Sequence, residues 1–278
     1  LPHLTGRYRV FALLRNAARA ADWRRAGAQP LFADLDDASS LGRIAGLADV
    51  VLHLAPPPNQ GSCDTRTKHL LAALSMGTSL PRCLSYVSPP GVYGDCGGAA
   101  IDETRQLKAE SPRAGRRVDA EASLRAWGAR NAVRICILRA PGIYAADRLP
   151  LERLDKGLPA LVAADDVFTN HIHADDLAAA CVAAMRQGQA NRTYNVVDDS
   201  DLKMADYFDQ VADAFALPHP PRLTREAAST VLSPMQMSFM RESRRIGNRR
   251  IKQELKLRLA FPTVTEGIAN ALKGNASC

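Results

Sequence analysis

Four groups of side chains have the type and spacing to do chemistry. Arg113 and Arg117 stand one helical turn apart. Ser88 and Tyr93 share a loop rich in Pro and Gly, and Tyr144 follows the Pro141-Gly142 turn. His171 and His173 flank Ile172 just ahead of Asp175 and Asp176. The three hydroxyls can donate hydrogen bonds to a bound or reacting oxygen. Arg117 suits an anionic substrate, but a guanidinium does not give up its proton and is no general base. On a strand, residues two apart share a face, and imidazole with carboxylate suits zinc. The same residues also read as a strand running into an Asp-capped helix, which needs no metal. No metal is expected, and Asn170 and His171 are expected to touch substrate instead.

Composition narrows the class. The chain has 278 residues, 46% hydrophobic and 23% charged, ordinary values for a globular protein and enough chain to bury a sizeable core. Its net charge of +7, from 36 Lys+Arg against 29 Asp+Glu, mildly favours anionic ligands, including phosphorylated cofactors. The basic residues are scattered. The densest stretch, Arg241 to Arg258, carries Ile246, Ile251 and Leu255 at helix-like spacing and reads as a solvated amphipathic helix. Nucleic acid is therefore not an expected partner, and neither is a membrane, since no apolar run nears the ~18 residues of a bilayer span. The six cysteines show neither zinc spacing nor a disulfide framework, which fits a reducing cytoplasm. The oligomeric state is not legible.

Strand and helix patterns alternate over the first two hundred residues. Strands are predicted at 8–14, 30–33, 49–55, 82–87, 133–138 and 193–197, and helices at 16–26, 37–45, 65–76 and 114–130. Another helix, capped by Asp175 or Asp176, runs to about Gln187. Such alternation implies a parallel sheet with helices on both faces. Beyond Ser200 the pattern is mainly helical. The expected fold is a Rossmann-type doubly wound α/β domain over residues 1–200, with a small helical substrate lobe over 201–278.

Several segments carry a family resemblance. They are YVSPPGVYGD (86–95), ILRAPGIYA (137–145), NHIHADDLAAA (170–180), TYNVVDD (193–199) and LRLAFPTVTEGI (257–268). In this order and spacing the chain resembles the extended short-chain dehydrogenase/reductases, the NAD-dependent epimerase/dehydratase family. That family opens with a strand and a G-x-x-G-x-x-G turn whose glycines let the backbone approach a pyrophosphate at a helix N-terminus. No such motif is present, and residues 1–8 look like the end of the first helix and the approach to the second strand. The resemblance thus implies an N-terminal truncation of about 20 residues. Without its central first strand, the sheet is expected to leave neighbouring strands unpaired and the chain to fold poorly.

The resemblance also implies a cofactor, NADP with NAD as the lesser alternative. Arg15 follows the second strand, where Arg favours a 2′-phosphate and an acid the free hydroxyl; it equally reads as a solvated residue at a helix start. Asp34 and Leu35 would meet the adenine edge, although Asp34 also suits a helix cap. Leu54, Ala55 and Pro56 would pass the cofactor backbone at the end of the fourth family strand. Pro141, Gly142 and Ile143 would form the nicotinamide-side loop.

Catalysis is where the sequence departs from the family. The usual set is a Ser/Thr with Tyr and Lys spaced Y-x-x-x-K, the Lys lowering the Tyr pKa for acid–base work. Here RAGRRVDAE (113–121) puts Arg113 at the Tyr position and Arg117 at the Lys position, and Pro89 stands where Ser/Thr is expected, leaving Ser88 beside it. Three readings stay open. An atypical enzyme would use Ser88, Tyr93, Tyr144 and Arg117 on a small polar metabolite such as a sugar derivative. A non-catalytic NAD(P)-binding regulator would bind without turnover. Or the arginines line an exposed helix, with Arg117–Glu121 a surface pair.

Overall fold

The structure is a computed structural model, and it describes residues 1–275; Cys278 lies outside the described residues. Two compact units form. The first gathers residues 1–88, 109–138 and 178–194, and the second gathers 89–108, 139–177 and the chain from 195 onward. Segments 89–108 and 139–177, which precede residue 200, thus group with the C-terminal helices.

The first unit holds the strands β1 (Val10–Leu14), β2 (Ala28–Phe32), β3 (Val50–His53), β4 (Cys83–Ser88), β5 (Arg134–Arg139) and β6 (Arg192–Asn195), except that the last residues of β5 and β6, Arg139 and Asn195, group with the second unit. Helix α1 (Thr65–Ser75) joins β3 to β4, α2 (Pro112–Asn131) leads into β5, and α3 (Ala174–Gln187) leads into β6. Hydrogen bonding divides the strands into a four-stranded sheet, ordered β6-β5-β4-β3, and a separate parallel ladder of β1 with β2. β3 and β4 are parallel, Val50 opposite Cys83 and His53 opposite Tyr86. Among the described residues, β1 and β3 each have a ladder partner on one side only. Their partial burial contrasts with the nearly continuous burial of β4 and β5. CLSYVS and RICILR are the apolar-rich, doubly covered runs of a parallel sheet.

Local signals set the helix limits. Asp64 caps α1 by accepting from the Thr67 amide at 3.1 Å. Ser111 caps α2 by accepting from the Ala114 amide at 3.2 Å, with Pro112 in its first turn, where a missing N–H costs nothing. One face of α2, with Ala120, Leu124 and Trp127, packs on Leu84, Tyr86, Ile135 and Ile137 of the sheet and on Leu70, Leu71 and Leu74 of α1. Gly128 makes that approach possible, because a Cβ there would lie 2.3 Å from Ile135 Cγ1 and 2.8 Å from the Val133 carbonyl. Gly128→Ala is expected to lower stability by about 1–3 kcal/mol through overpacking, despite the better helix propensity of Ala. A urea midpoint equal to or above that of the wild type would contradict this packing.

The second unit is knit by short ladders. Ile143–Tyr144 pairs with Ile172–His173, Ala160–Leu161 with Arg222–Leu223, Phe168–Thr169 with Leu202–Lys203, and Ala100–Ile101 with Arg245–Ile246. Its core includes Tyr144, Leu161, Tyr207, Phe208, Val211, Met237, Val264 and Ile268.

Three local expectations need correction. The 241–258 stretch is not one helix: Arg245–Ile246 is a strand and only Arg249–Gln253 is α-helical. Ile246, Ile251 and Leu255 are buried all the same, since backbone pairing with Ala100–Ile101 overrides the helical spacing. The 37–45 element is a 3-10 helix, Ala38–Ile44. Finally, α3 begins at Ala174, so Asp175 and Asp176 sit inside its first turn. Asp176 instead accepts from the Ala260 and Phe261 amides at 2.7 and 2.9 Å, fixing the later chain. Among the described residues, no helix is long and apolar enough to cross a membrane.

Candidate functional site

In the first unit the carboxyl ends of β1, β2 and β3 carry one set of candidate residues. Phe32 is 45% exposed and Leu54 59%, bare apolar surface at strand ends where α/β folds bind ligands. Arg15 follows β1 with its side chain 70% exposed and lies 3.9 Å from Asp36. Asp34 is used locally: its Oδ1 accepts from the Asp36 amide at 2.9 Å, and its backbone is tied to Ser40. The Leu35 carbonyl bonds His69 Nδ1 at 2.8 Å. Ala55 lies between Leu54 and Pro56, whose carbonyl accepts from Arg66 Nη1 at 3.0 Å. Arg66 also grips both oxygens of Asp36, at 2.7 and 2.6 Å. Sequence reading missed Asp36 and Arg66, which lie 30 residues apart in the chain with no local pattern to pair them.

The end of β4 carries a second set. Arg117 Nη1 donates to Tyr86 Oη at 2.8 Å and to the Val87 carbonyl at 3.2 Å, and its guanidinium lies 5.7 Å from the Tyr86 ring centroid. Arg117 is therefore turned to the strand end. Glu121 is 2% exposed, which corrects the reading of Arg117–Glu121 as a surface pair. Ser88, the next residue, is buried, and its Oγ has no partner. Burial pushes the Tyr86 phenol up to about 12, with Arg117 opposing. The Tyr86 ring lies 5.0 Å from His53. His53 Nε2 meets Thr67 Oγ1 at 2.9 Å, and that hydroxyl donates to Asp64 at 2.7 Å, so His53 must donate from Nε2. Burial, helped by the charge of Arg117, pulls His53 down to about 4, and it is neutral at pH 7.

The second unit holds the remaining candidates. Tyr93 is buried, donates to Asn195 Oδ1 at 2.7 Å and lies under the Arg139 guanidinium, 4.6 Å from the ring centroid. The Asn195 amide donates to Glu103 at 2.8 Å. Pro141 is buried, whereas Gly142 and Ile143 are exposed. Tyr144 is buried, donates to the Thr263 carbonyl at 3.3 Å and meets the rings of His171 and His173 edge-on. Gly267 leaves room for it, since a Cβ there would lie 2.4 Å from the Tyr144 oxygen. Asn170 spends its side chain on the backbone of Arg244 and Ile246, both at 2.9 Å. His171 bonds the Gly142 carbonyl and stacks on Tyr207 at 4.2 Å, while its buried Nε2 has no partner; burial holds it at about 4. Asp198 gives its amide to the His171 carbonyl at 2.8 Å and keeps one carboxyl oxygen unpartnered. Burial raises that carboxyl to about 7.

The parallel four-stranded sheet with its helices is a Rossmann-like α/β architecture. A family model, the NAD dependent epimerase/dehydratase family, matches residues 3–197, and the chain belongs to that family. A conserved protein of unknown function from Silicibacter pomeroyi is 29% identical, with a TM-score of 0.80 over 97% of this chain and 91% of that one. UDP-glucose 4-epimerase of Thermotoga maritima, solved with UDP-glucose, is 16% identical with a TM-score of 0.78, covering 98% of this chain and 92% of that one. RMD of Pseudomonas aeruginosa, solved with NADPH, is 19% identical with a TM-score of 0.70, covering 97% and 99%. The last two likenesses speak to the fold alone. No curated protein matches the sequence significantly. At the strand ends Arg15 offers an exposed cation, and Phe32 and Leu54 exposed apolar surface, chemistry compatible with a phosphorylated aromatic ligand. The chain's 278 residues contain no glycine-rich pyrophosphate turn.

Proposed function

We propose that this chain binds NADP(H), with NAD(H) as the weaker ligand, and is an atypical oxidoreductase or epimerase-like protein acting on a small polar metabolite of the sugar-derivative class. Arg15, Asp34, Leu35, Leu54, Ala55 and Pro56 would hold the adenosine end, and Pro141, Gly142 and Ile143 the nicotinamide side. The second unit, with the 201–278 lobe, would receive the substrate. The free cysteines among the described residues suit a reducing cytoplasm.

The observation that carries the catalytic reading is the unpartnered Ser88 Oγ, beside the strand-end carbonyl that Arg117 binds. A nicotinamide dinucleotide, when bound, supplies or accepts a hydride. Ser88 and Arg117 then offer a hydroxyl and a fixed positive charge to a substrate oxygen, stabilising negative charge as it develops. Arg117 moves no proton. Tyr93, bonded to Asn195, serves as a brace for the loop after β4. Tyr144, Asn170 and His171, engaged internally, shape the substrate lobe.

One observation favours a second reading, a non-catalytic NAD(P)-binding regulator: Arg117 and Tyr93 already spend hydrogen bonds on protein groups. NADPH oxidation with a panel of carbonyl sugars and sugar nucleotides separates the two. The enzyme reading expects turnover that Ser88→Ala lowers about a hundredfold to a thousandfold. NADPH binding without turnover of any panel member would leave the regulator.

A further inference from the structure

Asp36 carries two arginines of unequal freedom. Arg66 approaches it with two nitrogens, at 2.7 and 2.6 Å, and ties the Pro56 and Pro57 carbonyls with a third, at 3.0 and 3.4 Å. Its side chain is largely covered. Arg66 thus fastens the loop after β2 to the loop after β3 and fixes where the Asp36 carboxylate sits. Arg15 approaches the same carboxylate only at 3.9 Å and is otherwise in solvent. The Arg66 hydrogen bond, its charge and that of Arg15 hold Asp36 below the usual carboxylate range, so it is anionic at neutral pH. A fixed anion therefore stands against the exposed Arg15 guanidinium at the end of β1.

We propose that Asp36, anchored by Arg66, is a cofactor-specificity residue that opposes Arg15. It competes with a ribose 2′-phosphate for the Arg15 guanidinium and repels that phosphate, narrowing the preference for NADP(H) over NAD(H). This inference rests on the cofactor reading above. Arg15 supplies attraction, Asp36 supplies the opposing charge, and Arg66 keeps that charge from swinging away. Removing Asp36 takes away the charge that opposes the 2′-phosphate and leaves a free 2′-hydroxyl unaffected by charge, so it moves the two cofactors unequally.

The test is a fluorescence titration of NADPH and of NADH into the full chain and its variants, read as the ratio of the two dissociation constants. Asp36→Asn is expected to shift the ratio about three- to tenfold toward NADPH, the size of a partly screened charge contact. Arg15→Ala is expected to shift it by a similar factor toward NADH. The Asp36→Asn shift should shrink as salt is raised. Arg66→Gln, which loosens the loop, serves as the structural comparison and should weaken both cofactors. Should Asp36→Asn fail to fold, Asp36→Ser, which also removes the charge facing Arg15, is read by the same ratio and the same salt series. An unchanged ratio in Asp36→Asn, or affinities that move together as in Arg66→Gln, overturns the inference while leaving the cofactor reading intact. Binding of neither cofactor by the wild type overturns both.

Discussion

Acidification from pH 7 to pH 4 is expected to destabilise the first unit by about 3 kcal/mol through His53 alone, while the second unit largely escapes. His53 and His171 are each held near 4 in the fold, against an ordinary 6.5. A depressed histidine contributes stability that is present above its unfolded value and lost as pH falls toward its folded one. The unfolded chain binds the extra proton across that window, and each histidine costs about 3 kcal/mol. Asp198 has the opposite sign. It is raised from 3.8 to about 7, so its contribution is full below 3.8 and is lost as pH rises through 7. Between pH 7 and 4 it returns about 3 kcal/mol, nearly cancelling His171 in the same unit. The charged or titratable groups acting on Asp198 and its neighbours are Asp176, Asp199, Tyr144, Tyr207 and Glu266.

Asp198→Asn should therefore expose the His171 penalty and make the second unit acid-labile by about 3 kcal/mol, while removing a cost above pH 7. His53→Gln keeps an N–H donor for Thr67 and should flatten the acid loss of the first unit. Urea midpoints between pH 4 and 8 decide the matter, with one tryptophan, Trp127, in the first unit's core as a local probe. Identical pH dependence in wild type, Asp198→Asn and His53→Gln would show that these groups do not titrate as their burial requires.

Arg117→Met is the second substitution expected to have a large effect. It leaves Tyr86 Oη and the Val87 carbonyl without their donor, and an unsatisfied buried polar group costs about 1–3 kcal/mol. It also removes the charge that helps hold His53 low. The expected result is a stability loss of about 2–4 kcal/mol, together with a His53 titration displaced upward, visible in imidazole NMR. Arg117→Lys restores a charge but not the forked donor, so it should return His53 toward its wild-type value while recovering less of the stability. If His53 titrates alike in all three proteins, Arg117 does not act on it through charge. A purely packing role for Arg117 would lower stability without moving that titration.

These effects also show which parts of the molecule the sequence reveals. The β4 and β5 strands and helices α1 and α2 were legible within a few residues from the alternation of β-prone apolar-rich runs with helical stretches, whereas their caps, Asp64 and Ser111, emerged only from the structure. Arg245–Ile246 was not legible, because its partner Ala100–Ile101 lies far back in the chain and helical spacing mimicked an independent helix. The same limit applies to the candidate site. Arg15 could be picked out by its place after a strand, and Ser88 and Arg117 by their places against the family's Ser/Thr and Lys positions. Asp36–Arg66 and Tyr86–Arg117 could not, since each joins residues 30 or 31 apart through tertiary contact alone. Asp198 reads in the sequence as half of an acidic pair, and only its burial beside His171 gives it an unusual proton affinity.

The most direct test of the central claim is a titration of NADPH, beside NADH, into the wild-type chain followed by fluorescence. Saturable binding of NADPH at about micromolar concentrations is expected, tighter than NADH, with the difference diminished by Arg15→Ala. Failure of either cofactor to bind, or equal binding by wild type and Arg15→Ala, would contradict the assignment of the β1–β3 strand ends as the adenosine site.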